Sequence, residues 1–435
     1  MDDLSLRRRA ERSPHAEALI LSGRSYDWAT LANAVARVQL EPYAPLSFCA
    51  ESSFELIVSI LACLEQRRPF ALLHPRLADA ERREQARFWH THAHAIPHDT
   101  AVVLFTSGTT GRAKAACLSR AAFIASAQAT GARLGSTLRR WLLALPLCHV
   151  GGLSVLTRAL VLGTAVVVPD RTDTDALAAC ILHTKPTGAS LVPTQLRRLV
   201  DRGERLDALG TVILGGAAAR PLLLDAAESL GARVFCTYGM TETCAQITLE
   251  AEDARERSSG VPLGEARVTI RDPSGAPAPT GTIGTVWVDG PSLFLGYLGH
   301  PERHGAFETG DLGWQDEEGA LHIESRRTDL IVSGGENIYP LELERALLEH
   351  PEVLEALVFA ADDPEWGQHG RALLVLRDPS TPLTTIATHL DGRLARFKWP
   401  RFAAITAQLP LTPLGKPDRR AAAELELPFQ PWPRA

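Results

Sequence analysis

Lysine, paired cysteines and long apolar runs are all scarce in this chain of 435 residues. The 45 basic residues are outnumbered by 51 acidic ones, and the net charge of −6 argues against a general nucleic-acid binder, which needs a basic excess. No uncharged apolar stretch approaches the roughly 20 residues of a membrane helix. Any polyanionic ligand must therefore be held by local donors. Only four of the basic residues are lysines, which are Lys114, Lys185, Lys398 and Lys416.

The seven cysteines are too widely spaced for a metal-binding or disulfide pattern. No Cys-x-x-Cys pair occurs and the count is odd, so neither a zinc ribbon nor a disulfide framework fits. The first twenty residues contain basic side chains but no apolar run of the kind found in signal peptides. We therefore expect a protein without a membrane span, in the reducing environment of the cytoplasm.

Short β-rich runs alternate with Ala/Leu-rich helical stretches through the first three-quarters of the chain, which indicates an α/β fold. Most of the strands are nearly continuous apolar runs, typical of parallel sheets covered on both faces. Ligands of such sheets bind at the carboxyl ends of the strands. The predicted strands are 101–105, 142–145, 165–168, 189–192, 211–214 and 233–237, and the predicted helices between them are 119–130, 174–183 and 221–230.

The composition of the sequence and the pattern of predicted elements change after about residue 260. The Pro- and Gly-rich segment 271–282 reads as a turn between two strands, and a β-rich section continues to residue 324. From about residue 330 the pattern is that of a small α+β unit, with helices at 340–350 and 385–396. We therefore predict a large N-terminal domain of mostly parallel sheets and helices with a β-rich section, residues 1–328, and a small α+β C-terminal domain, residues 329–435.

A Gly/Thr-rich loop after the strand 101–105 has the composition of a phosphate-binding loop. Glycines allow the backbone to turn its N–H groups toward an anion, and hydroxyls and a lysine add donors. The loop is not a Walker A motif, because Ala113 and Ala115 stand where that motif needs glycine and Ser/Thr. A surface loop without ligand is the alternative. The candidate phosphate-binding residues are Thr106, Ser107, Gly108, Thr109, Thr110 and Lys114.

The segment 103–114 resembles the signature loop of the adenylate-forming superfamily, which includes acyl- and aryl-CoA ligases. The resemblance implies a large N-terminal domain, a small mobile C-terminal domain, and activation of a carboxylate by ATP and Mg²⁺ to an acyl-adenylate. Transfer of the acyl group to a thiol, usually that of CoA, then follows. Further motifs in the family's order carry the resemblance along nearly the whole chain.

Three of these motifs lie in the N-terminal part. Leu145–Val150 resembles the family segment whose histidine, here His149, lies at the carboxylate pocket. The segments 214–217 and 238–242 resemble those that contact the nucleotide, in which Tyr238 stacks on adenine, Thr241 meets phosphate and Glu242 helps hold Mg²⁺. The nucleotide-binding residues implied here are Gly215, Gly216, Ala217, Tyr238, Gly239, Met240 and Thr241.

The other motifs follow residue 308. The resemblance implies that Asp311 accepts hydrogen bonds from ribose, that Arg326 faces the nucleotide, and that Lys416 contacts the charge that develops during adenylation. Ser325 replaces the usual glycine, and Arg327 is an alternative to Arg326. The implied hinge is Thr328 and Asp329, and the glycines implied for the CoA channel are Gly334 and Gly335.

Short stretches at 146–156, 190–196, 214–218 and 333–338 resemble the o-succinylbenzoate–CoA ligases of menaquinone biosynthesis. Such an aryl acid has a second carboxylate, which needs a cation or several donors when it is buried. Arg158, in an otherwise apolar helix, is our candidate, with Gln195 and Arg197 as alternatives. A homo-oligomer is a further expectation. Another aryl- or acyl-CoA ligase, an enzyme that loads a carrier protein, and a non-catalytic nucleotide-binding scaffold remain open.

Four histidines, His90, His92, His94 and His98, precede the phosphate loop. Alternate histidines on one strand face can bind metal, but no cysteine or carboxylate set accompanies them. We therefore expect a polar loop that joins two segments rather than a metal site.

Overall fold

The computed structural model describes most of the chain. The described residues are 4–42, 44–49, 51–75, 77, 79–106, 113–135, 138–217, 219, 221–252, 254, 256–326, 329–333, 336–363, 366–391, 393–394, 396–412 and 415–433. For residues 80, 325, 326, 332, 336, 337 and 397 only the backbone is described. Ser107–Thr110, Thr328, Gly334 and Gly335, all candidates from the sequence, lie outside the described residues.

The secondary structure is a mixture of helices and strands, as the sequence predicts. The helices are α1 (Leu6–Arg12), α2 (Trp28–Ala36), α3 (Phe54–Glu65), α4 (Asp79–His92), α5 (Arg120–Leu134), α6 (Val150–Leu162), α7 (Thr174–Thr184), α8 (Pro193–Asp201), α9 (Pro221–Ser229), α10 (Pro340–Leu348), α11 (Leu383–Leu390) and α12 (Arg419–Glu424). Single 3₁₀ turns occupy Ala93–Ala95, Asp207–Leu209, Thr241–Thr243 and Arg396–Lys398. No helix in the described ranges has the length and apolarity to cross a membrane.

The strands run through the whole chain. They are β1 (Glu17–Leu21), β2 (Arg24–Asp27), β3 (Leu46–Phe48), β4 (Phe70–Leu72), β5 (Thr100–Thr106), β6 (Lys114–Ser119), β7 (Arg140–Leu142), β8 (Ala165–Val168), β9 (Gly188–Leu191), β10 (Thr211–Leu214), β11 (Arg233–Cys236), β12 (Gly239–Met240), β13 (Ala245–Gln246), β14 (Thr248–Leu249), β15 (Val261–Pro262), β16 (Arg267–Arg271), β17 (Gly284–Asp289), β18 (Gly296–Tyr297), β19 (Phe307–Gln315), β20 (Leu321–Arg326), β21 (Ile331–Ser333), β22 (Glu336–Ile338), β23 (Val353–Asp363), β24 (Gly367–Leu376), β25 (Phe402–Ile405) and β26 (Gln430–Pro431).

The chain divides into two compact units. The first unit is Met1–Gly216, Asp225–Val268 and Val288–Phe307, and the second is Ala217–Leu224, Thr269–Trp287 and Glu308–Ala435. Much of the β-rich section before residue 328 thus packs with the C-terminal residues. Because packing does not locate a pivot, the domain boundary and hinge at 328–329 stay a prediction.

A seven-stranded sheet is the centre of the first unit. Its order is β11-β10-β9-β7-β8-β1-β2, and every neighbouring pair is parallel except β1 and β2. All four residues of β8, of β9 and of β10 are buried, which explains their nearly continuous apolar sequences. The predicted mostly parallel sheet is confirmed. The carboxyl ends of its strands bring the segments 143–149, 192–195, 215–216 and 237–242 toward one edge.

A second sheet of the first unit carries the predicted phosphate loop. Its order is β18-β6-β5-β4-β3, with β3, β4 and β5 parallel and with β6 antiparallel to both β5 and β18. Residues 107–112 join β5 to β6, so the two ends of the loop are fixed by a strand pair. Thr106 lies opposite Lys114 in that pair.

The second unit contains two antiparallel or mixed sheets. One has the order β16-β17-β19-β20, and the predicted turn 271–282 connects β16 to β17. The other contains β21 to β26, with the long hairpin of β23 and β24 as its largest pairing. Helices α10 and α11 supply Leu343, Leu347 and Ile386 to its apolar core.

Three expectations differ from the structure in local detail. The helix expected at 385–396 ends at Leu390, because Asp391 has an extended backbone with ψ of 131°. The strand expected at 142–145 ends at Leu142, before Pro146, which lacks an N–H. The histidines expected in a loop begin within α4, and residues two apart on a helix do not face each other. His90, His92 and His94 therefore form no common metal-binding face.

Candidate active site

The base of the predicted phosphate loop is fixed by contacts of Thr106 and Lys114. Thr106 Oγ1 donates to the Lys114 carbonyl at 3.4 Å. The Lys114 ammonium nitrogen lies 4.9 Å from the centre of the Tyr297 ring, within the range of a cation–π interaction. A cation is thus held where residues 107–112 leave and rejoin the sheet. The positive charge of Lys114 favours binding of an anion by the loop.

Tyr297 also connects this cation to the predicted metal ligand. Its hydroxyl donates to Glu242 Oε1 at 2.6 Å, and Glu242 is only 8% exposed. The distance is that of a charge-assisted hydrogen bond, which orients the carboxylate. Carboxylate oxygens are the ligands that Mg²⁺ prefers, so the chemistry of Glu242 fits the predicted role. The sequence did not point to Tyr297, which reaches the site because β18 pairs with β6.

The segment that resembles the adenine-binding motif follows β11. Tyr238 is buried, Gly239 and Met240 form β12, and Thr241 opens a 3₁₀ turn. A Cβ on Gly239 would lie 2.0 Å from the Ala245 carbonyl oxygen, so only glycine allows the pairing of β12 with β13. The motif glycine is therefore needed for the local fold, whatever the ligand.

Gly215 and Gly216 follow β10, which lies beside β11. Gly215 N donates to the Leu191 carbonyl at 3.2 Å, and Gly216 has a φ of +87°, which favours glycine. The parallel pairing of β10 with β11 puts these glycines and Tyr238 at the same edge of the sheet. Ala217, the next candidate, belongs to the second unit.

His149 and Gln195 lie at the same carboxyl edge. His149 precedes the first residue of α6, and its N–H donates to the Pro146 carbonyl at 3.1 Å. Gln195, in the first turn of α8, donates to the Ala144 carbonyl at 2.9 Å. Gln195 thus ties the end of β9 to the chain that leads to His149. Arg197, on the same helix, lies 3.4 Å from Asp201, so its guanidinium is already close to an anion.

Arg158 lies deep in α6, with 1% of its surface exposed. The guanidinium carbon is 4.4 Å from the centre of the Trp141 ring, and Nη2 donates to Ser154 Oγ at 3.4 Å. Among the described residues, Nε and Nη1 have no hydrogen-bond partner. Burial lowers the pKa of Arg158 to about 10. A buried cation of this kind is costly unless an anion joins it.

The second unit contains the remaining candidates. Asp311, in β19, is buried, and its backbone lies opposite that of Arg326 in β20. Asp311 N donates to Thr309 Oγ1 at 3.1 Å, and Thr309 Oγ1 donates to the Val286 carbonyl at 2.9 Å. The predicted ribose-binding residue is thus held by strand pairing within the unit.

Lys416 is exposed on a tight loop. Thr412 N donates to the Lys416 carbonyl at 2.7 Å, and Lys416 N donates to Thr412 Oγ1 at 3.3 Å. Three residues on, Arg419 Nη2 donates to the buried Glu344 carboxylate at 2.5 Å, and Nη1 lies 3.5 Å from the carboxylate of Asp329. The loop that carries Lys416 is therefore anchored, through Arg419, to one of the two predicted hinge residues.

Comparisons with known proteins identify the family of the chain. Residues 83–298 match the family of AMP-binding enzymes, and residues 342–416 match the C-terminal domain of that family. A 2-succinylbenzoate–CoA ligase of Bacillus pumilus is 32% identical over 94% of this chain and 95% of its own length. The solved o-succinylbenzoate CoA synthetase of Bacillus subtilis, in complex with its acyl-adenylate intermediate, is 29% identical, with a TM-score of 0.86 over 97% of this chain and 98% of that one. The same enzyme in complex with ATP and magnesium ion has a TM-score of 0.85, at 30% identity over 95% of this chain and 98% of that one.

Proposed function

The chain belongs to the AMP-binding enzyme family, and we propose that it converts 2-succinylbenzoate, ATP and CoA into 2-succinylbenzoyl-CoA, AMP and pyrophosphate. The observation that carries the chemistry is the contact chain Lys114–Tyr297–Glu242 at the base of the phosphate loop. These contacts hold a cation and a buried carboxylate together at the base of the loop. Activation by a nucleoside triphosphate requires both, because the phosphates need a positive charge and Mg²⁺ needs a carboxylate ligand. The choice of acid rests on the likeness to 2-succinylbenzoate–CoA ligases.

The first half-reaction joins two anions. A carboxylate oxygen of the acid attacks the α-phosphorus of ATP, a new P–O bond forms, and the bond to the β-phosphate breaks as pyrophosphate leaves with the electron pair. Thr106, Lys114 and residues 107–110 hold the phosphates. Glu242 would hold Mg²⁺, which neutralises phosphate charge and so lowers the barrier. Tyr297 keeps the Glu242 carboxylate in one orientation through the 2.6 Å hydrogen bond.

Lys416 supplies the second cation. It stabilises the charge that is shared between the attacking oxygen and the α-phosphate, which preorganised charges do most effectively. Tyr238 and the glycines 215 and 216 hold the adenine, Asp311 the ribose, and Arg326 faces the nucleotide. These roles come from the family motifs.

The second half-reaction needs the CoA thiol at the site in place of Lys416. The CoA thiol loses its proton to solvent, its sulfur attacks the acyl carbon, and the bond from that carbon to the AMP oxygen breaks as AMP leaves with the electron pair. We propose that rotation about Thr328 and Asp329 withdraws Lys416 and brings Gly334 and Gly335 to the CoA channel. The anchor of Arg419 to Asp329 supports this, because it couples the loop of Lys416 to the pivot.

The acid lies at the carboxyl edge, beside His149 and Gln195, and its second carboxylate meets Arg158. The guanidinium of Arg158 lies near Ser154, which is five residues after His149, or about 7.5 Å along the helix axis. That rise is comparable with the separation of the two carboxylates of the acid. The two nitrogen atoms of Arg158 without partners among the described residues support this role.

Pyrophosphate release tests the function. ATP, Mg²⁺ and CoA are supplied with 2-succinylbenzoate, benzoate, 4-coumarate or medium-chain fatty acids. Among these acids, we expect CoA-dependent turnover with 2-succinylbenzoate alone. We propose that this reaction is a step of menaquinone biosynthesis in the cytoplasm. Turnover with another acid contradicts the substrate but not the chemistry. Release of one pyrophosphate per enzyme that CoA does not increase favours a carrier-protein acceptor, and ATP binding without any pyrophosphate release favours a scaffold. The mass of the enzyme in solution tests the expected homo-oligomer.

A further inference from the structure

Three metal-binding side chains meet in the first unit, outside any role derived above for Mg²⁺. His74, Cys148 and His149 each offer one ligand atom, and these atoms all lie within 4.8 Å of one another. Cys148 Sγ is 3.9 Å from His149 Nε2, and the centres of the two imidazole rings are 5.0 Å apart. His74 is 6% exposed and Cys148 is 9% exposed. This set is the one group of three such ligands found within the described ranges.

We propose that His74, Cys148 and His149 form a binding site for Zn²⁺ or a cation of similar chemistry. Thiolate and imidazole ligands select Zn²⁺ over Mg²⁺, which prefers oxygen. Zn–N bonds of about 2.05 Å and Zn–S bonds of about 2.3 Å put tetrahedral ligand atoms roughly 3.3–3.6 Å apart. The three ligands therefore need to close by no more than about 1.5 Å, which side-chain rotations supply.

Metal binding requires the thiolate form of Cys148. Cys148 precedes the N-terminal end of α6, which begins at Val150, and the partial positive charge of a helix N-terminus favours an anion. On binding, the Cys148 thiol releases its proton to solvent and its sulfur forms the metal bond. The two histidines bind in their neutral form.

Three protein ligands leave one position open on a four-coordinate ion. His149 is the residue that we place beside the acid, so an ion bound to it competes with the acid for the same space. We therefore expect Zn²⁺ to inhibit the enzyme competitively with 2-succinylbenzoate, at Mg²⁺ concentrations that saturate the nucleotide. This consequence rests on the proposed function, whereas binding of the ion does not.

Cobalt absorption tests binding in the full-length chain. Co²⁺, which replaces Zn²⁺ in tetrahedral sites, is expected to bind once per chain, with a thiolate charge-transfer band and visible d–d bands, and Zn²⁺ is expected to displace it. Cys148→Ser should lose the charge-transfer band, and His74→Gln should weaken binding at least tenfold. Cys49→Ser, at an exposed cysteine, and His183→Gln, at a histidine of α7, are the matched controls and should bind as the wild type does.

Two results overturn the proposal. One is Co²⁺ binding without a thiolate band, and the other is an unchanged band in Cys148→Ser or unchanged affinity in His74→Gln. If Cys148→Ser does not fold, His74→Gln and Cys148→Ala carry the same test. Inhibition is measured separately as the KM for the acid with and without Zn²⁺. If the enzyme shows no turnover, that result contradicts the proposed function only. The cobalt spectra then still decide whether the metal site exists.

Discussion

The Arg158 guanidinium stacks on the Trp141 ring at 4.4 Å, inside the layer between α6 and β7. Trp141 is fully buried, so the cation has an aromatic face on one side and Ser154 at one nitrogen. A cation–π contact of this kind offsets only part of the cost of burying a charge. An anionic substrate group would accept hydrogen bonds from the remaining donors of Arg158, which are Nε and Nη1.

Arg158→Met therefore separates a substrate role from a packing role. The substitution keeps most of the apolar volume and removes the buried charge, so we expect an unchanged or higher Tm. We expect the KM for 2-succinylbenzoate to rise roughly 30-fold or more, since loss of one partner of a buried charge pair costs about 2 kcal/mol or more. The KM for ATP is the internal control. An unchanged KM for the acid would make Arg158 a core residue alone.

Tyr297→Phe tests the hydrogen bond to Glu242. The variant keeps the ring next to Lys114 but loses the hydroxyl that donates at 2.6 Å. A hydrogen bond to a charged group contributes about 1.5–3 kcal/mol, so adenylation should slow by roughly 10- to 100-fold. Pyrophosphate exchange at several Mg²⁺ concentrations measures this. Tyr26→Phe, in β2, is the matched control, and equal rates in both variants would contradict the role of Tyr297.

The motifs could be found from the sequence because each is a short contiguous segment, and several of them follow a strand directly. Tyr297 could not, since its place beside Glu242 depends on pairing of β18 with β6, about 180 residues away in the chain. Hydrophobic periodicity describes one segment at a time and contains no information on which strands pair. The same holds for the grouping of β19 and β20 with the C-terminal residues, and for Arg419, whose partners Val358, Glu344 and Asp329 are 61 to 90 residues away in the chain.

Lys416→Ala should divide the two half-reactions. Loss of a preorganised charge at the reacting phosphate is expected to reduce adenylation about 100-fold or more. Thioester formation from supplied acyl-adenylate and CoA should change only a few-fold. Lys398→Ala is the control, because Lys398 Nζ forms an ion pair with Glu342 at 2.5 Å in the same unit. Equal losses in both half-reactions would contradict the proposed division of roles.

Gly151 and Gly152 provide a matched pair at the start of α6. A Cβ on Gly152 would lie 2.2 Å from the Pro146 carbonyl oxygen, which is backbone, whereas one on Gly151 would lie 3.0 Å from the end of the Leu145 side chain. Gly152→Ala should therefore lower Tm and displace the segment that holds His149, raising the KM for the acid. Gly151→Ala should change Tm little, because the gain in helix propensity offsets a small movement of Leu145. Similar Tm values for both variants would contradict this account.

Glu344 makes the stability of the second unit depend on pH. Burial raises its pKa to about 7 from the usual 4.5, against the opposing effect of Arg419. Between pH 4.5 and about 7 the folded chain therefore holds a proton that the unfolded chain has lost, so the stability from this group falls as pH rises and is constant above that window. A shift of this size corresponds to about 3 kcal/mol. Glu344→Gln removes this dependence, so the Tm of the variant minus that of the wild type should increase as the pH rises from 4.5 to about 7. Glu342→Gln is the control for loss of a carboxylate on the same helix. A difference in Tm that is constant from pH 4.5 to 7 would show that Glu344 does not titrate there.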